Sequence, residues 1–240
     1  MRRTRILVVD DEPAIRKLLR AYLEKSGFDA LAAGDGAEAL KLVEREAPDL
    51  LVLDIIMPKM DGFETCQRLR EWSAIPIIML SAKDEEQDKV KCLEIGADDY
   101  ITKPFGSGEL VARIKAVLRR TRVRETAITE PNFTCGNVKI NFVQRKVTVR
   151  GKIVKLTPTE YNLLRELALN ADKVLTYNQL LNRVWGSEYA QEREYLHVFT
   201  SRLRAKIEDD RTNPEYIVTL PGVGYKFQLK ITAVQDNWIT

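Results

Sequence analysis

The chain has 240 residues, 45% hydrophobic and 30% charged, with 38 basic and 35 acidic side chains and a net charge of +3. That is the makeup of a globular protein with room for one large domain or two ordinary ones, and no stretch nears the roughly 18 uninterrupted apolar residues of a membrane span. Cys66, Cys92 and Cys135 are odd in number and scattered without ligand spacing, which argues against a disulfide framework or thiolate metal site and for reduced thiols in a cytoplasm.

The opening Met1-Arg2-Arg3-Thr4-Arg5 is basic and leads into Ile6–Val9. That apolar run is too short for a secretory signal and reads as a first strand. Further short apolar runs follow at Ala30–Ala33, Leu50–Leu53, Ile77–Leu80 and Tyr100–Ile101, each trailed by a helix-like segment. The alternation predicts an α/β fold, a parallel five-stranded sheet covered by helices on both faces. In the last of these helices Leu110, Ile114, Val117 and Leu118 recur at i, i+4, i+7 and i+8, one buried stripe.

Periodicity stops at residues 121–132, TRVRETAITEPN, expected to be a linker between domains 1–120 and 133–230, with 231–240 as a tail. Beyond it come alternating strands at Val138–Ile140, Lys146–Val149 and Ile153–Lys155, three helices and a terminal hairpin around LPGVGY. The first helix has Thr157 as N-cap, Pro158 at its first position and Glu160 three residues after the cap. Residues 1–120 carry 20 basic and 22 acidic side chains, net −2, and the remainder 18 and 13, net +5. The second half is therefore the better match to a polyanion.

In the first half every functional-looking polar residue ends a strand: Asp10-Asp11, Asp54, Ser81 and Lys103. Ligands of an open α/β sheet gather beyond these carboxyl ends. Crowded carboxylates repel and need a raised pKa or a cation, and an all-oxygen site with few protein ligands suits Mg²⁺. Asp54 could then act as a nucleophile toward a phosphoryl group, with Lys103 and Mg²⁺ neutralising its oxygens and Ser81 donating a hydrogen bond.

The stretches ILVVDDEPAIRKLL, LDIIMPKMDGFE, PIIMLSAKDE and GADDYITKPF resemble the CheY-like receiver domain of two-component response regulators over residues 4 to about 120. That resemblance implies a flavodoxin-like strand order 2-1-3-4-5 and phosphoryl transfer to Asp54 from a sensor histidine kinase. It also implies Mg²⁺ on Asp10, Asp11, Asp54 and the Ile56 carbonyl, Ser81 and Tyr100 as a switch pair, and a cis Lys103-Pro104 bond. The one histidine, His197, lies in the second half, so the phosphoryl donor should act in trans.

Within residues 192–208, EREYLHVFTSRLRAKIE, helical spacing of about 100° groups Leu196, Phe199, Leu203 and Ile207 on one face. Glu194, His197, Val198, Ser201 and Ala205 share the other, flanked by Arg202 and Arg204. With a preceding helix, Tyr177–Trp185, and the hairpin Ile217–Phe227, the order is that of a winged helix-turn-helix. LTPTEYNLLRELALNADKVLTYNQLLNRVWG, SRLRAKIE and GVGYKF resemble the effector domain of the OmpR/PhoB family over residues 133 to about 229. By that likeness Arg202 and Arg204 contact DNA backbone or base edges, His197, Val198 and Ser201 face bases, and Thr219 touches phosphate. Tyr195-Leu196 stands where many members carry valine-aspartate, a feature similar to KdpE-type potassium regulators, and Pro221 replaces a common wing arginine.

The resemblance further implies a homodimer when phosphorylated, formed by the fourth helix, fifth strand and fifth helix, where Lys89 could pair with Glu109 and Asp99 with Arg113 across a twofold axis. Residues 186–191 could meet RNA polymerase. Two other classes compete with this non-enzymatic reading. An aspartate-nucleophile phosphatase would use Asp54, but Asp10 and Asp11 are adjacent instead of alternating around a nucleophile. An RNA-binding module would need an aromatic-rich stacking sheet, which the sequence lacks.

Overall fold

The computed structural model describes residues 3–82, 86–121 and 131–229, without the side chains of 86 and 87. Residues 122–130 of the expected linker and the whole of the expected tail lie outside the described residues.

Five parallel strands, β1 (Arg5–Val9), β2 (Asp29–Ala33), β3 (Leu50–Asp54), β4 (Ile77–Ser81) and β5 (Asp99–Thr102), form a sheet in the order β2-β1-β3-β4-β5. Helices α1 (Pro13–Lys25), α2 (Gly36–Glu46), α3 (Gly62–Trp72), α4 (Glu86–Glu94) and α5 (Ser107–Thr121) connect or follow them. β3 and β4 are buried at every position, as continuous apolar runs covered on both faces must be. Alternate residues of the strands feed two cores: Leu7, Val9, Leu51, Leu53 and Met79 on one side, Ile6, Val8, Val52, Ile78 and Leu80 on the other. The stripe of α5 packs on the second, with Leu110, Ile114, Val117 and Leu118 all buried.

An antiparallel sheet follows, β6 (Asn132–Cys135), β7 (Val138–Asn141), β8 (Lys146–Val149) and β9 (Lys152–Val154), paired in that order. β6 was not expected. Its alternation is masked because only Phe133 and Cys135 are apolar, and its pairing with β7 in register Cys135↔Val138 makes it a strand. Helices α6 (Pro158–Leu169), α7 (Tyr177–Val184) and α8 (Arg193–Ile207) come next, with a 3₁₀ turn at Ser187–Tyr189. A small sheet of β10 (Leu175–Thr176), β12 (Gly224–Phe227) and β11 (Ile217–Leu220) completes the unit.

The cap on α6 forms as the sequence predicts. Thr157 accepts from the Glu160 backbone N–H while the Glu160 carboxylate accepts from the Thr157 N–H. Thr176 and Gln179 repeat this box at α7. The apolar side chains of α6, α7 and α8 converge on Trp185, which is fully buried and meets Tyr195 and Phe199 edge-on at centroid distances of 6.3 and 5.2 Å. Leu93 of α4 and Ala116 of α5 belong to this same apolar cluster. The two halves of the chain therefore share a packed seam.

Candidate functional site

The acidic pocket forms where the parallel strands end. Asp10 follows β1, Asp54 ends β3 and Ser81 ends β4; Asp54 pairs in register with Leu80, so Ser81 stands one residue beyond it on the adjacent strand. Lys103 follows β5, its backbone N–H donating to the Ser81 carbonyl at 2.6 Å. The Lys103-Pro104 bond is cis, as the resemblance implies. A rigid strand thus aims each group at one spot.

Lys103 Nζ reaches Asp10 Oδ2 and Asp54 Oδ1, each at 3.0 Å. Asp10 is fully buried, Asp54 is 6% exposed and Ser81 3%, while Asp11 lies further out toward solvent. Burial pushes the Asp54 carboxyl above its ordinary value; the Lys103 hydrogen bond and charge oppose this, and the charge of Asp10 adds to it. Burial pulls the Lys103 ammonium down, but its two carboxylate partners outweigh this and hold it above its usual range. One ammonium for three acids leaves the pocket electron-rich.

One carboxylate oxygen from each of Asp10, Asp11 and Asp54 lies within 4.8 Å of the other two. A donor set made only of hard oxygens at that spacing fits Mg²⁺ and would be a poor host for a soft metal. Ile56 sits in the loop two residues after Asp54, its side chain 63% exposed. The close approach that shapes this loop is at Gly62, where a Cβ would fall 2.8 Å from Ile55 Cα and closer still to the Asp54 carbonyl oxygen.

The expected switch residue Tyr100 is half-buried at the seam. It touches the receiver-side core and the core built around Trp185, and Lys89 Nζ lies 5.6 Å from its ring centroid.

Helix α8 shows the expected apolar face: Leu196, Phe199, Leu203 and Ile207 are all buried. His197, Ser201 and Ala205 are exposed on another side, and the His197 Nδ1 lies 2.8 Å from the Tyr225 hydroxyl. Val198, expected beside them, is only 7% exposed. The reason is a second, largely buried stripe, Tyr195, Val198 and Arg202 at i, i+3 and i+7, laid along the contact between α8 and α4.

Arg202 donates to the carbonyls of Leu93 and Ala97 at 3.1 and 3.0 Å and pairs with Glu160 at 2.8 Å. Burial raises the Glu160 carboxyl, but Arg202 and Lys206 outweigh it and keep the group below its ordinary range. Arg204 donates to the Ile217 carbonyl and, at 2.7 Å, to Thr219 Oγ1, so these two expected DNA contacts hold each other and join α8 to β11. Arg204→Ala should weaken binding to every DNA sequence and lower the melting temperature too, since charge-assisted hydrogen bonds are worth about 1.5–3 kcal/mol each. Unchanged melting together with an unchanged salt dependence of binding would refute both roles.

The residues expected to pair across a dimer are engaged within one chain. Asp99, fully buried, accepts from Arg113 at 3.2 Å, from the Tyr195 hydroxyl at 2.6 Å and from the Tyr189 hydroxyl. Glu109 meets Arg113 at i, i+4 and 3.3 Å, and Lys89 pairs with Glu192. Reading α8 as having one packed and one open face concealed Tyr189, Tyr195, Asp98 and Arg120. The visible signal was the breadth of its apolar arc, which spans Tyr195, Leu196, Val198 and Phe199.

Residues 6–115 match the response regulator receiver domain, and residues 151–227 match the C-terminal domain of transcriptional regulatory proteins. The chain is 42% identical over 226 residues to the sensory transduction protein RegX3 of Mycolicibacterium smegmatis, covering 94% of this chain and 99% of that one. It is 45% identical to the alkaline phosphatase synthesis transcriptional regulatory protein PhoP of Bacillus subtilis, over 93% and 96% of the two chains. Identity to the transcriptional regulatory protein KdpE of Mycobacterium tuberculosis is 40%, over 94% and 99%. Among solved structures, a mutant of RitR aligns with a TM-score of 0.79 at 29% identity, and the Thermotoga maritima OmpR/PhoB homologue DrrB with 0.51 at 32%, each over 95% of this chain and all of the other. No helix among the described residues is long and apolar enough to cross a membrane. With a receiver sheet ending in acids and a winged helix behind it, the chain belongs to the OmpR/PhoB family of two-component response regulators.

Proposed function

We propose that this chain is a cytoplasmic transcription regulator whose DNA binding is switched by a phosphoryl group on Asp54, supplied by a sensor histidine kinase. The observation that carries this reading is the shared contact of Lys103 with Asp10 and Asp54 beside a three-carboxylate cluster. Such a cluster is built to gather positive charge and then phosphate oxygens. The Asp54 carboxylate attacks phosphorus, the bond from phosphorus to the donor nitrogen breaks, and the freed imidazole takes up a proton. Lys103 follows the developing charge, and Ser81 donates its hydroxyl to a phosphoryl oxygen. Asp10, Asp11, Asp54 and the Ile56 carbonyl would hold Mg²⁺, which when bound neutralises phosphoryl oxygens.

The phosphoryl group adds about −1.5 to −2 charge. Ser81 turns toward it and Tyr100 moves inward behind Ser81. The face of α4, β5 and α5, with Lys89, Asp99, Glu109 and Arg113, then pairs with a second copy. Two effector units, each presenting His197, Val198, Ser201, Arg202, Arg204 and Thr219, bind repeated half-sites of double-stranded DNA, and tethering multiplies affinity through effective concentration. Contact of residues 186–191 with RNA polymerase belongs to the same reading.

The test is DNA affinity before and after phosphorylation with acetyl phosphate and Mg²⁺, on a duplex bearing two half-sites selected from random sequence. Affinity should rise by at least about tenfold, with a shift from monomer to dimer in sedimentation. Equal affinity of the labelled and unlabelled protein would refute the switch, and steady turnover of small phosphoesters would favour a phosphatase instead.

A further inference from the structure

The outward side of α8 carries a histidine held in one orientation by the wing. His197 is exposed, yet its Nδ1 lies 2.8 Å from the hydroxyl of Tyr225, a residue of β12 that is itself 2% exposed. Two rings frame the imidazole edge-on, Tyr177 at the start of α7 with a centroid distance of 5.7 Å and Tyr225 with one of 6.3 Å. The tyrosines brace each other at 5.8 Å. Three elements, α7, α8 and β12, therefore fix one ring.

The direction of the hydrogen bond follows from its partners. A phenol is a far stronger acid than an imidazole N–H, and an imidazole nitrogen a far stronger base than a phenol oxygen, so the hydroxyl donates and Nδ1 accepts. Burial pushes the Tyr225 phenol above its ordinary value, which keeps that proton in place. With Nδ1 accepting, the ring's own proton sits on Nε2, on the other side of the imidazole. A second proton on the ring would go to Nδ1 and leave Nε2 a donor still.

His197 shares its exposed side with Ser201 and Ala205. Ala205 has no polar group, and the Ser201 hydroxyl both donates and accepts, so neither favours one base edge. Nε2 of His197 only donates. In the major groove guanine offers two acceptors, N7 and O6, and no donor; adenine sets an amino group beside its N7, cytosine presents an amino group, and thymine sets a methyl group beside O4. A lone fixed donor therefore matches guanine best.

Building on the reading above, we infer that His197 reads a guanine in each half-site through its Nε2–H, and that Tyr225 is the positioning residue that fixes this polarity. Thr219, proposed to touch phosphate, stands opposite Tyr225 in the register of β11 and β12. The wing that settles on the backbone thus also aims the base reader.

The test is selection of half-sites from random duplex by the full chain, followed by affinities for the selected site and its single-base variants. The wild-type chain should select a guanine whose replacement costs about fivefold or more, the low end for a specific base contact. His197→Gln should move the preference at that one position to adenine, whose N7 and N6 match an amide. Tyr225→Phe leaves the ring free to exchange its proton between nitrogens. It should lose most of the guanine preference there, with the penalties at other positions and the salt dependence of binding unchanged. A merely structural role for Tyr225 would instead weaken every position alike, and that result would overturn its assignment. The selection is run with and without acetyl phosphate, so that a missing phosphate effect strikes the switch while the preference at this position alone decides the inference. A selected site without such a guanine, or one whose guanine preference survives His197→Gln, would overturn it. If Tyr225→Phe does not fold, the His197→Gln result decides.

Discussion

Asp54→Ala takes up no phosphoryl group from acetyl phosphate or from a histidine kinase, and its affinity for paired half-sites stays at the level of the unphosphorylated parent. The expectation follows from the pocket's geometry. Asp54 belongs to the three-carboxylate cluster and has one oxygen 3.0 Å from Lys103 Nζ. Asp10, fully buried, has Oδ1 committed to the Glu12 N–H at 2.9 Å and Oδ2 to Lys103, so it is a poor substitute nucleophile. The variant should fold, because Lys103 keeps Asp10 as a partner at 3.0 Å and burial already disfavours the charged form of the carboxylate that is removed. Acid-stable or alkali-labile label persisting at the wild-type level would show that another residue accepts the group.

Gly62→Ala should be nearly as damaging to the chemistry without touching a reacting atom. An added Cβ at this first residue of α3 would meet backbone on both sides of the Asp54–Ile55 peptide, 2.8 Å from the Ile55 Cα and nearer yet to the Asp54 carbonyl oxygen. Backbone cannot rotate away as a side chain can, so either α3 or the tip of β3 must shift. Overpacking of this kind costs about 1–3 kcal/mol, and a shift of the carboxylate by even an ångström can slow a positioned reaction about a hundredfold. Gly108→Ala, in the first turn of α5 with nothing within 4 Å of its Cβ, is the control and should be neutral or slightly stabilising. Equal labelling rates for the two variants would show that the loop after β3 is not a determinant of Asp54 position.

The pocket was legible because each of its residues is tied to a local signal. A strand reads as a short apolar run, its end is visible where the polar residue falls, and a parallel sheet brings all such ends to one edge. Asp10, Asp54, Ser81 and Lys103 therefore come together whatever the details of packing. The effector helices were equally readable, since Thr157, Pro158 and Glu160 mark one start and the Leu196–Ile207 stripe one buried face. β6 escaped notice because a strand with two apolar residues is recognisable only through its partner β7.

What the sequence by itself determined was the set of elements, their polar tips and the chemistry those tips can perform, because periodicity, caps and strand ends are properties of neighbouring residues. Only the tertiary structure decided what Val198, Arg202, Asp99, Lys89 and Arg120 touch. Each belongs to a surface that could face solvent, DNA, a second copy or the other half of its own chain, and those alternatives present the same pattern along the sequence. The choice rests on long-range contacts such as Tyr195 to Asp99, 96 positions apart, whose strength depends on how far the seam excludes water.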